Sequence, residues 1–131
     1  MAGRVVRESV TLAGRAERAQ VARGFVGGVL GPGHPCGDMA ALLMSELFCN
    51  SVRHSGSGAA GEAVTVAVAA WDGVVLVEVA DRSGAGVPDL RRADDEAEGG
   101  RGLQLVERLS ARWGWHRDRG QTVTWFELRH G

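Results

Sequence analysis

Glu46, Asn50, Arg53 and His54 fall on one stripe of a helix-forming run, Ser45-Glu46-Leu47-Phe48-Cys49-Asn50-Ser51-Val52-Arg53-His54-Ser55. Residues at i, i+4, i+7 and i+8 lie above one another on a helix. A carboxylate and an amide one turn apart both present hard oxygen atoms. Glu46 and Asn50 can therefore hold a hydrated Mg²⁺ or an activated hydroxyl. The plain alternative is a helix whose polar residues only face water. Leu42, Leu43, Leu47, Phe48 and Val52 read as the core-facing side of the same helix. Asn50 is the only asparagine in the chain.

Two further clusters carry chemistry. Asp81 closes an apolar run and is followed by Arg82-Ser83-Gly84-Ala85-Gly86. A carboxylate at a strand end can accept a hydrogen bond from an exocyclic amine such as that of adenine. Glycines at Gly84 and Gly86 let backbone approach a flat ring or a phosphate. Downstream, Gly99-Gly100-Arg101-Gly102-Leu103 opens a helix, and a glycine-rich helix N-terminus offers free N–H groups and a positive dipole end to phosphate. Each cluster alone is also what an ordinary turn looks like.

The elements that must position these groups follow from pattern. Residues 8–12 read as a short strand, and the apolar positions Ala19, Val21, Ala22, Phe25, Val26, Val29 and Leu30 suit an amphipathic helix over 15–30, weakened by Gly24, Gly27 and Gly28. Gly31-Pro32-Gly33-His34-Pro35 is a break. Asp38 starts or caps the next helix, which runs to about His54 and stops at Gly56-Ser57-Gly58. Val64–Trp71 alternates as a strand, Asp72-Gly73 is a hairpin turn, and Val74–Ala80 is a nearly all-apolar, central return strand. Gly102–Ser110 suits a helix with Leu103, Leu105, Val106 and Leu109 inward, and Trp113 to Leu128 a final hairpin turning across residues 117–120. The order β-α-α-β-β-loop-α-β-β predicts an α+β fold: a two-layer α/β sandwich with helices on one face of a mixed, mainly antiparallel sheet. The loop over 82–101 is long for a compact domain. Glycines at both ends suit a lid over 87–99 that closes on a ligand, against the alternative of a solvated acidic tip.

Composition sets the outer limits. The 131 residues suit one domain, 1–131, with a real core; 44% are hydrophobic and 24% charged. A net charge of -1 gives no reason to expect nucleic acid or an anionic membrane as partner. No apolar run approaches the ~20 residues of a membrane span, and no signal-peptide core opens the chain, so a cytoplasmic location is expected. Cys36 and Cys49 are then reduced thiols, with Cys49 expected to be buried. All 15 basic residues are arginine. A lysine-free chain excludes the Walker P-loop, the strand lysine of eukaryotic-type kinases and Schiff-base chemistry. His34, Cys36, Cys49 and His54 are zinc-type ligands, but their spacing fits no common zinc site. The four tryptophans read as core or rim residues of strands.

Taken in order, Glu46-x-x-x-Asn50-x-x-x-His54, Asp81 with its glycine turn, Gly100-Arg101-Gly102-Leu103, and Gly120-Gln121-Thr122-Val123 resemble the histidine-kinase-like ATPase superfamily with the Bergerat ATP-binding fold. The resemblance spans roughly residues 8–129. The helix reading Glu-Leu-x-x-Asn-x-x-x-His looks most like the bacterial anti-sigma-factor serine kinases. It implies ATP and Mg²⁺ as cofactors, Glu46 as general base and Asn50 as the Mg²⁺ ligand. Arg53 and His54 would lie near the phosphate end, and Asp81 would bind adenine. Gly100, Arg101, Gly102 and Leu103 would wrap the phosphates, and Thr122 would support Asp81. A site without lysine accords with this family, where Mg²⁺ and helix N-termini handle phosphate charge. One departure stands out. The family's turn is commonly Asp-x-Gly-x-Gly, whereas Gly84 and Gly86 come one position late. Ser83 and Ala85 take the glycine places, or the turn carries one inserted residue.

The resemblance further implies partners. These are an anti-anti-sigma protein of the STAS type bearing the acceptor serine, a sigma factor, and a second copy of the chain in a homodimer. Two rivals are a non-catalytic ATP- or ADP-binding regulator and a sensor-kinase catalytic domain. The second lacks an upstream histidine-bearing helix pair in this sequence.

Overall fold

The computed structural model describes residues 5–54, 62–82 and 101–131, with the backbone alone at His54 and Arg101. Its elements are β1 (Val6–Ala13), a short 3-10 turn (Ala16–Arg18), α1 (Ala19–Leu30), α2 (Gly37–His54), β2 (Ala63–Trp71), β3 (Val74–Asp81), α3 (Arg101–Leu109), β4 (Arg112–Asp118) and β5 (Gln121–Arg129). The five strands form one sheet in the order β1-β2-β3-β5-β4. Every described pairing is antiparallel. The expected α+β sandwich is present, and β3 is the middle strand. The predicted stop at residues 56–58, the lid over 87–99, and Gly84, Gly86 and Gly100 lie outside the described residues.

Local chemistry accounts for the turns. Asp72 and Gly73 both have positive φ, 21° and 77°, and so do Arg119 and Gly120, at 51° and 78°. Two consecutive positive-φ residues give the turn twist that right-handed strands accept, and Asp-Gly is a favoured pair for it. A Cβ at Gly73 would also stand 2.7 Å from the His130 carbonyl oxygen. α1 ends at Gly31, whose φ of 89° is glycine territory and whose N–H donates to the Gly27 carbonyl at 2.9 Å. α2 begins with Asp38 in its first turn, where a carboxylate favours the positive end of the dipole.

The core lies between the helices and one face of the sheet. Val64, Val66 and Val68 of β2, Val75, Val77 and Val79 of β3, and Phe126 and Leu128 of β5 meet Leu43, Met44, Leu47 and Phe48 of α2, with Ala22 and Val26 of α1 and Val106 of α3. Burial of each such side chain contributes about 1.5–3 kcal/mol. Leu42 and Leu109, read as inward, are instead 40% and 42% exposed, and Val21, one of the apolar positions of α1, is 47% exposed. The buried stripe of α2 runs through Ala40, Leu43, Met44, Leu47 and Phe48, and Leu42 is turned about 100° from Leu43. Cys49, expected to be buried, is half-buried, while Cys36 is buried. On the open face, Trp125 lies against Gly114, where a Cβ would come within 2.9 Å of its ring, and Arg112 stacks over it at 5.7 Å. Trp115 is an exposed rim residue.

Candidate nucleotide site

α2 lies over β2 and β3 and packs against α3. Its apolar stripe faces the sheet, which leaves Glu46 and Asn50 half-buried toward α3. The floor between them is Gly102, the second residue of α3. A Cβ there would stand 3.2 Å from Asn50 Nδ2 and 3.3 Å from both Cβ and Oε1 of Glu46. The glycine thus lets the first turn of α3 come right up to the acid–amide pair. That turn contains no acidic residue and begins at Arg101. Helices commonly place Asp or Glu there to meet the dipole. The N–H groups at such a helix end are ones that an anion can use.

Asp81 ends β3 on the helix-covered face, in step with Val75, Val77 and Val79. It is 6% exposed, and its ladder partner on β5 is Thr122, 3% exposed. Cross-strand partners have their Cβ atoms about 5 Å apart, so the hydroxyl and the carboxylate share one small buried polar pocket. Both belong to internal interactions. Val52 is half-buried against the core, and Arg53 is exposed on the last turn of α2. Leu103 buries its side chain in the core. Only its backbone can face a ligand.

The structure therefore brings Glu46, Asn50 and Gly102 into contact, and Asp81 and Thr122 into register. Arg101 is the first residue of α3 and His54 the last of α2. The motifs gave no sign of Arg23. From α1 it reaches Ser45 Oγ at 3.4 Å, and it shares the Cys49 neighbourhood with Arg53. Burial, helped by the Glu46 carboxylate, pushes the Cys49 thiol up, and Arg53 and Arg23 pull partly against it. Cys49 is a free, half-buried thiol on the same helix as Glu46 and Asn50. Arg23 thus puts positive charge near Ser45 and Cys49 of α2, a placement that only the packing of α1 on α2 reveals.

The donor set suits a hydrated Mg²⁺, because an amide and a carboxylate are hard oxygen ligands. The glycine floor at a helix N-terminus suits phosphate. Gly102→Ala tests that cradle. Alanine is the better helix former by about 1 kcal/mol, while its Cβ obliges Glu46 and Asn50 to move by a few tenths of an ångström. We expect a melting temperature within a few degrees of wild type and weakened Mg²⁺–nucleotide binding by calorimetry. Unchanged affinity would show that the close approach serves packing alone.

A family model described as histidine kinase-like ATPase domain matches residues 13–128. Among solved structures, the chain is similar to the RsbU and RsbW domains of Rv1364c from Mycobacterium tuberculosis, with TM-score 0.63 and 23% identity over 94% of this chain and 32% of that one. It is also similar to the histidine kinase domain of the blue-light activated histidine kinase EL346 from Erythrobacter litoralis, with TM-score 0.56 and 19% identity. That match covers 87% of this chain and 60% of the other. The chain thus spans less than two thirds of either. No curated protein matches the sequence. Among the described residues no helix is long and apolar enough to cross a membrane.

Proposed function

Because the chain belongs to the histidine kinase-like ATPase family, we propose that it binds ATP with Mg²⁺ and transfers the γ-phosphate to a serine of a small protein partner, as an anti-sigma-factor kinase. The observation that carries the reading is Gly102 at the start of α3, laid against Glu46 and Asn50. That contact puts a phosphate-type helix end beside a carboxylate. The motif Glu46-Leu47-x-x-Asn50-x-x-x-His54, the buried Asp81–Thr122 pair and the sheet shared with a structure holding an RsbW domain support it.

Each residue then has a task. Asp81 accepts the adenine amine, with Thr122 steadying it. The α3 backbone from Arg101 to Leu103, with Gly100 ahead of it, cradles the phosphates, and Arg53 and His54 close the phosphate end. Asn50 would hold Mg²⁺, which neutralises phosphate charge when bound. Glu46 takes the proton of the serine hydroxyl as the Oγ–P bond forms and the bond from the γ-phosphorus to the ADP oxygen breaks. The partner would be a STAS-type anti-anti-sigma protein, with a sigma factor bound alternately, in the cytoplasm, and the kinase would act as a homodimer.

Ligands that bind only the folded state raise its stability by mass action. At a hundredfold excess over Kd the gain is about 2.7 kcal/mol, or roughly 10 °C for a chain of this size. We expect such a shift with millimolar ATP and Mg²⁺ and a smaller one with ATP in EDTA. A folded sample with no shift would overturn nucleotide binding. Incubation with γ-labelled ATP and candidate partner proteins tests transfer. Binding of ATP and a sigma factor with no labelled partner would favour a non-catalytic regulator.

A further inference from the structure

At the end of the sheet away from Asp81, three metal-type ligands from distant parts of the chain converge. They are His34 and Cys36, in the break between α1 and α2, and His130, just past β5. Each offers one ligand atom, and the three atoms lie within 4.8 Å of one another. The two imidazole rings meet edge-on, with centroids 4.8 Å apart. Thr122, beside Asp81, is the second residue of the strand that His130 follows, so the cluster stands roughly 25 Å from the proposed nucleotide end.

We propose that His34, Cys36 and His130 form a binding site for a thiophilic divalent transition metal, zinc foremost. The chemistry selects the class. Two imidazoles and a thiolate are borderline-soft ligands that suit Zn²⁺ and are poor ones for Mg²⁺. A tetrahedral zinc with bonds of about 2.0–2.3 Å sets its ligands roughly 3.3–3.7 Å apart. The cluster therefore needs to contract by only about 1 Å. Three protein ligands leave the fourth position to water or to a side chain from another molecule.

The backbone holds all three residues in place. The His34 N–H donates to the Gly31 carbonyl, the Ala40 N–H to the Cys36 carbonyl at the start of α2, and the His130 N–H to the Gly73 carbonyl in the β2–β3 turn. Pro32 and Pro35 stiffen the loop, and the positive φ of Gly31 and Gly33 sets its path. One bond must be exchanged. The Cys36 N–H donates to His34 Nδ1 at 3.0 Å. A metal on Nδ1 displaces it directly, and a metal on Nε2 leaves the ring proton on Nδ1 and ends it as well. On ligation the Cys36 thiol passes its proton to the buffer. Ligand spacing along the sequence could not show this site, because His130 reaches it only through the register of β5.

The site makes a tie between the start of α2 and the end of β5. α2 also carries Glu46 and Asn50, so the metal would brace the far end of the helix that bears the acid–amide pair. The test is direct and does not depend on nucleotide binding. The full chain, stripped with EDTA, is titrated with Zn²⁺ by calorimetry and with Co²⁺ by absorption spectroscopy. We expect one metal per chain and a thiolate-to-cobalt charge-transfer band. Cys36→Ser should abolish the band and weaken Zn²⁺ binding by more than about 100-fold, beyond the loss typical of outer-sphere changes. His130→Ala should weaken binding similarly, and Cys49→Ser should bind as wild type does. Circular dichroism of the metal-free variants reports folding, and the cobalt band of the wild type reports thiolate ligation without any variant. No metal uptake by the wild type, a cobalt spectrum without the thiolate band, or loss in Cys49→Ser with retention in Cys36→Ser would each overturn the proposal.

Discussion

Glu46→Ala is expected to lower the proposed phosphate transfer to a partner serine by about 10²–10⁴-fold, the contribution typical of a positioned general base, and to leave ATP binding nearly intact. Glu46 is one helical turn before Asn50, and its Oε1 faces the first turn of α3 beside Gly102. A phosphate resting on that turn has the carboxylate at its edge, where an incoming hydroxyl must arrive. Phosphoryl transfer asks little covalent chemistry of a protein, so orientation of the nucleophile and removal of its proton are what remain to be supplied. Glu46→Gln separates the two, since it keeps the shape and loses the proton acceptor. Single-turnover labelling measures the rate and calorimetry the nucleotide affinity. If Glu46→Gln transfers phosphate at the wild-type rate, the carboxylate only positions. If Glu46→Ala does so too, the proposed role is wrong.

If Asp81 receives adenine as proposed, Asp81→Asn should weaken adenine-nucleotide binding by about 10- to 100-fold. A hydrogen bond to a charged acceptor is worth roughly 1.5–3 kcal/mol, and the amide removes that charge. It can also turn a donor toward the donating exocyclic amine. The change is nearly isosteric, so Thr122 keeps its neighbour and the strand register holds. Selectivity is the sharper readout. Guanine carries a carbonyl where adenine carries the amine, so wild type should prefer ATP to GTP and the variant should narrow that gap. Equal losses for both nucleotides would mean that the substitution had only loosened the β3–β5 seam.

What the sequence revealed depended on the range of the interaction. Period and turn chemistry are local, so the helix carrying Glu46 and Asn50, the Asp72-Gly73 turn and the central β3 could be read from order alone. The face of α2 was legible except at its margin. Leu42 has the hydrophobicity of a core residue, but it sits beyond the arc that the sheet can cover. Spacing placed Glu46 and Asn50 together; it could not show that Gly102 closes on both, because that contact depends on how α3 packs. The proximity of Arg23 to Ser45, and of His130 to His34 and Cys36, is likewise tertiary. These groups come from different elements, and only the packing of α1 on α2 and the strand register decide that they meet.

The two hairpins, β2–β3 and β4–β5, each turn on two residues, so each can form alone within about 1–10 μs. The pairing of β3 with β5 is another matter. It must wait until α3, β4 and the chain before them have been gathered in, and closure entropy opposes such non-local contacts until they are nearly complete. Asp81 and Thr122 face each other across that late seam. A chain caught before it closes would own both hairpins but not the pocket proposed for adenine. ATP would then find its footing only on molecules that had finished folding, and in binding them would draw the remainder forward.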